Sequence, residues 1–226
     1  MAVDVRNIVV GAANVFWSAS TTTTGGRPAE PTWNSASSAA VSLRGSTSWV
    51  EAGLTTEGVD ISYEPNYGEV MVDQLLDVAK IFKQSLKVTA KTTLSEATLA
   101  NLEVAFGNEN TVSYASASSV VMSLPAGALG TEPVERSLIF VSQSSPGATQ
   151  TGWGTASTSV ANNNTERVYF ARRVVSMDTV AHSMKRDAAT VFPVTFRLLP
   201  DTATANAGSE YGKIIDRIYT GPAYIG

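Results

Sequence analysis

From Val59 the chain alternates. Val59, Ile61 and Tyr63 fall on one face of an extended backbone, while Asp60, Ser62 and Glu64 fall on the other. This predicts a strand with one buried and one wet side. Pro65, Asn66 and Gly68 carry turn chemistry. Val70 and Val72, set between Glu69, Met71 and Asp73, then predict a second short strand that pairs back. A longer alternation follows: Leu86, Val88, Ala90, Thr92 and Leu94 against Lys87, Thr89, Lys91 and Thr93. Its β-branched content suits a pleat, and its lysines keep the outer face wet. From Thr93 the period becomes helical, with Leu99, Leu102 and Phe106 at three- and four-residue spacing. Thr93 and Glu96 fit a capping box, and Gly107 sits where a left-handed stop is wanted. The pattern predicts a strand running straight into a helix of roughly three turns.

Other strands read more simply. Ile8–Val10 and Val15–Trp17 predict a first strand broken by Gly11. Thr111–Leu124 is β-prone and rich in serine. Ser137–Ser142 is apolar throughout, as in a strand covered on both faces. Arg167–Val175 alternates, with Arg172 in the apolar register, where it must snorkel or find a carboxylate. Thr190–Leu198 alternates strongly, and Pro193 predicts an edge position or a late start. Tyr211–Tyr219 gives a last strand. Two segments of low complexity, Ser18–Ser48 and Ser144–Asn164, predict long loops. Trp33 and Trp153 stand in polar surroundings within them, which makes them candidate inter-subunit contacts. The first loop is expected to order only against a neighbouring subunit. Residues 1–226 read as a single, mainly β domain.

Composition narrows the function. Of 226 residues, 43% are hydrophobic, ample for a core, and 16% are charged, few for a soluble monomer. The net charge is −4, with no basic patch of the kind that grips nucleic-acid phosphates. Zero cysteines exclude disulfides and thiolate chemistry. His182 is the single histidine, without a nucleophile elbow, so it reads as a surface residue. Gly152-x-Gly154 lacks the rest of a dinucleotide loop. No ligand spacing for a metal is visible, and no cofactor is expected. No apolar run reaches membrane-spanning length, and Asp4 stands where an export leader would be basic. The Asn163-Asn164-Thr165 sequon reads as chance in an Asn-rich loop. Nothing points to an enzyme.

Three runs are similar to the tail tube (major tail) proteins of long-tailed phages. They are Gly53–Val59 with Tyr63-Glu64-Pro65, Val70–Gln74, and the run Leu94-Ser95-Glu96-Ala97-Thr98-Leu99-Ala100-Asn101-Leu102. The last is the most specific, and its Leu94, Glu96, Leu99, Asn101 and Leu102 form the family-like helix. A weaker match lies in Phe192–Asp201 and Tyr211–Arg217. Together they cover under half the chain. The resemblance implies a β-sandwich or barrel-type tail tube fold with one flanking helix and long loops. It implies rings of six subunits stacked into a tube, with inner hairpins forming a continuous barrel. Implied partners are further copies, the tape measure, tail terminator and distal tail proteins, and passing DNA held without sequence preference. The implied place is the virion, after assembly in the host cytoplasm. Six copies at −4 each would sum to −24 per ring and repel DNA towards the axis. Asp60, Glu64, Glu69 and Asp73 are the candidate lumen-facing hairpin residues, with acidic and neutral side chains expected on that face.

Two other readings compete. One is the inner tube of a contractile tail or secretion system. The other is a carbohydrate-binding β-sandwich, in which exposed Trp17, Trp33, Trp49 or Trp153 would stack on a sugar.

Overall fold

The computed structural model describes residues 13–20, 26–74, 77–107, 112–116, 119–124, 129–130, 132–143, 164–182, 184, 186–187 and 189–219. In chain order the elements are β1 (Ala13–Ser18), α1 (Ala39–Arg44), β2 (Trp49–Glu51), β3 (Thr55–Val70), β4 (Lys80–Leu94) and α2 (Leu99–Phe106). They continue with β5 (Val112–Ser116), β6 (Ser119–Met122), β7 (Arg136–Gln143), β8 (Asn164–Ser176), β9 (Phe192–Leu199) and β10 (Gly212–Tyr219). The fold is mainly β. Strands pair in the order β2-β1-β7-β8-β9-β4-β3, with β10 also on β8, while β5 and β6 form a separate hairpin. Every pairing among the described strands is antiparallel.

The sheet bends back over itself. Val15 and Trp17 of β1, Leu138 and Phe140 of β7, Ala90 and Leu94 of β4, and Phe192, Val194 and Phe196 of β9 share one buried cluster with Val104 and Ala105 of α2. A second cluster lies on the reverse face of β1, β7 and β8: Phe16, Ile139, Val141, Val168 and Phe170 under Ala39, Ala40 and Leu43 of α1. The apolar run of β7 is therefore covered on both sides, as its composition predicts. Each fully buried Leu, Ile or Phe here stabilises the fold by about 1.5–3 kcal/mol.

Strand β8 has two partners on one side. Residues 164–171 pair with β10 and residues 173–176 with β9. Pro193 sits where β9 pairs only with β4, so its missing N–H has no β8 partner to disappoint. Arg172 meets both sequence expectations. Its guanidinium lies 5.3 Å from the Phe170 ring, 2.9 Å from the Ser209 carbonyl and 3.8 Å from Glu30.

Several expectations need correction. Pro65, Asn66 and Gly68 make no turn; they lie inside the unbroken 16-residue β3. An edge strand tolerates a proline, and a register shift at Asn66/Tyr67 absorbs the irregularity. The true reversal follows Val70 and closes with Ala79 N–H donating to Val70 at 2.8 Å. Val70 is thus the end of β3, and no second short strand runs through Val72. Helix α2 is shorter than expected and follows four non-helical residues, 95–98. Thr98 is its N-cap, accepting from Asn101 N–H, and Gly107 closes it with φ +67°. Thr93 instead stays in β4 and donates to Glu57. There is also a second helix: α1 arises inside the segment read as a loop, capped by Ser38.

Candidate assembly surface

The β3–β4 hairpin is the outstanding feature, because the core does not need all of it. Strand β9 accompanies β4 only from Val88 to Leu94. Beyond Val88 the two strands continue with no third strand beside them among the described residues, and both faces are largely exposed. Among the described residues strand β3 ends the sheet, so one row of its backbone N–H and C=O groups has no described strand partner. At the usual rise per residue that open edge is roughly 50 Å long.

Pairing register sorts the side chains into two faces. Ile61↔Ala90, Tyr63↔Val88, Pro65↔Leu86 and Glu69↔Ile81 lie on one; Asp60↔Lys91, Ser62↔Thr89 and Glu64↔Lys87 lie on the other. On the first face Tyr63, Tyr67 and Ile81 are 57–60% exposed and make a run of aromatic and apolar surface. Lys83 donates to the Tyr63 hydroxyl at 3.0 Å and lies 5.3 Å over its ring, and that bond raises the lysine pKa.

On the polar face Ser62 Oγ donates to Glu64 Oε1 at 2.9 Å, and Lys87 Nζ stands 3.6 Å from Glu64 Oε2. The serine bond first, then the lysine charge, holds the Glu64 carboxyl below its ordinary pKa. This face opens into a polar groove of about 710 Å³, where Asp60, Glu64 and Asp178 face Lys87, Lys91 and Arg197. This face is mixed in charge rather than acidic and neutral as expected, because antiparallel register sets Asp60 and Glu64 of β3 against Lys91 and Lys87 of β4. The four candidate acids do not share a face either. Asp60 and Glu64 do, Glu69 points to the opposite side, and Asp73 lies in the reversal beyond the strand.

The family-like run has a structural task. Leu94 is 1% exposed in the core, and Leu102 packs against the same cluster. Leu99, the first residue of α2, is half-buried. Asn101 is buried and donates through Nδ2 to Ala52 O and Glu96 O, both at 2.8 Å. Glu96 Oε1 accepts from Leu54 N–H. These bonds fasten α2 to the chain entering β3, and so set the hairpin's exit from the core.

Trp33 is not the free aromatic that the sequence suggests. It packs against the α1 cluster, and the Arg217 guanidinium lies 5.5 Å from its ring. The segment around it is tied to its own chain. Arg27 pairs with Glu135 at 2.6 Å, Glu30 with Lys213 at 2.7 Å, and Arg217 donates to the carbonyls of Asn34 and Ser37. The described part of Ser18–Ser48 therefore has its order from within. Trp153 and most of Ser144–Asn164 lie outside the described residues.

Sequence reasoning missed Glu166. Its carboxylate has no exposure, accepts from Ala39 N–H at 2.8 Å at the start of α1, and stands 2.8 Å from Arg217 Nη1. Burial raises its pKa against the opposing pull of the Ala39 bond and the Arg217 charge. Glu166 shares the apolar register of Val168 and Phe170 but stands just before the Arg167–Val175 alternation, and only the fold of α1 over β8 shows what it pairs with.

His182 is exposed, edge-on to Phe192 at 5.1 Å. Among the described residues no cluster of His, Cys, Asp or Glu could hold a metal ion, and no helix is long and apolar enough to cross a membrane. Compared with known proteins, the chain matches no family model and no curated relative.

Proposed function

We propose that this chain is a structural subunit whose copies complete one another's sheets in rings of six, and that stacked rings form the tail tube of a long-tailed phage. It delivers DNA by shape and charge and carries out no reaction. The observation that carries this reading is the β3–β4 hairpin. Its strands outrun their own core, its free edge is long, and its apolar face is exposed. In isolation such an edge invites uncontrolled pairing, and closing a ring removes it. The sequence resemblance to tail tube proteins supplies the ring, the stacking and the phage setting.

The glycan-binding reading loses most of its platform. Trp17 and Trp49 are 3% and 6% exposed, and Trp33 packs on its own chain. Negative-stain microscopy of concentrated, purified protein tests the proposal. Rings or tubes with a central channel are expected. A protein that remains monomeric under crowding and low salt would overturn it.

A further inference from the structure

Two features of the described residues lie in different places and fit each other. The first is a groove of about 270 Å³ lined by Ile61, Tyr63, Val88, Leu198, Tyr211 and Ile214. It exists because β10 and β9 divide one side of β8 between them, so β10 parts from β4 beyond the last β4–β9 pair at Val88↔Leu198. Its walls are almost wholly apolar, and Ile214 is 66% exposed above it. The second feature is the hairpin tip, where Val70, Met71, Val72 and Phe82 are all exposed, Met71 by 71%.

The tip cannot serve its own groove. Between Ile61 and Val70 strand β3 is unbroken, which puts the two roughly 30 Å apart. Only another copy can bring a tip to the groove. The volume suits a methionine with a neighbouring valine, and an unbranched thioether adapts to an irregular cleft.

Building on the proposed tube, we infer that the Val70–Val72 tip of one subunit seats in the β4–β10 groove of the next. Knob and socket occupy different places on the molecule, so the contact is heterologous. It passes from copy to copy until a ring closes or a filament extends.

The chain has no native cysteine, so cross-linking can test this cleanly. Met71→Cys and Ile214→Cys are purified separately, mixed under assembly conditions and oxidised with diamide. A covalent dimer is expected in the mixture, none in either variant alone, and a ladder of multimers from the double variant. Rings or tubes on the grid without the mixed cross-link would overturn the tip-in-groove contact and leave the tube standing. So would dimers of Met71→Cys alone. Absence of any assembly in the unsubstituted protein would overturn both. As a second arm, Met71→Asp should raise the concentration for half-assembly by at least tenfold with an unchanged circular dichroism spectrum. Unaltered assembly would contradict the inference.

Discussion

Asn101 joins three pieces of chain through one side chain. Replacing it with alanine leaves the buried carbonyls of Ala52 and Glu96 without their donor, at a cost of about 1–3 kcal/mol. Thermal unfolding should shift down by roughly 2–4 °C for each kcal/mol lost. A melting curve identical to the parent would show that these bonds do not stabilise the fold. Glu166 makes a prediction of the opposite kind. The folded chain holds this proton to higher pH than the unfolded chain does. Through this group, then, acidification towards the ordinary carboxylate range favours folding, and stability falls as pH rises through the raised pKa. Glu166→Gln should remove that component and flatten the profile above about pH 4.5. Arg217→Ala should be worse than either, by about 3–5 kcal/mol, because it strands a buried charge. Denaturant titrations across pH check both. Asn101 does not announce its burial in the sequence, and Glu166 gives only its apolar register in β8, because the partners of each come from a distant element folding over it.

At the scale of elements, local periodicity carried the reading well wherever a strand or helix meets one core. The alternations of β4, β8 and β9 and the Gly107 stop of α2 were legible for that reason. The reading failed where tertiary context overrode local chemistry. Pro65, Asn66 and Gly68 look like a turn, but an open edge and a register shift let β3 run through them. Ser35–Ala40 looks featureless, yet three small or apolar side chains of α1 suffice once the β1–β7–β8 face is available. The segment from Arg27 to Ser38 carries one large apolar residue and is held chiefly by ion pairs of Arg27 and Glu30. Screening at 1 M salt shrinks the Debye length to about 3 Å. Hydrogen exchange at the amides of residues 26–34 should then accelerate by roughly threefold, the effect of weakening these partly buried pairs. Strand β7, buried on both faces, should be unmoved. Equal response in the two segments would mean that the ion pairs do not hold this strap.

For the whole molecule, the candidate surface was only half legible. Sequence located the hairpin's acids and the lysines of β4, but not that they stand opposite one another, because register is a property of two strands. The polar face is close to charge-balanced, so repulsion of DNA cannot be read from β3 alone. On the proposed reading, further copies of the chain cover the apolar face, the edge of β3 and the distant groove. Amide hydrogen exchange along Thr55–Val70, in monomer and in assembled protein, tests that most directly. The amides of β3 that face away from β4 should exchange freely in the monomer and become protected by at least a hundredfold on assembly. If they stay unprotected while rings or tubes are present, neighbouring copies do not complete this sheet and the account is wrong.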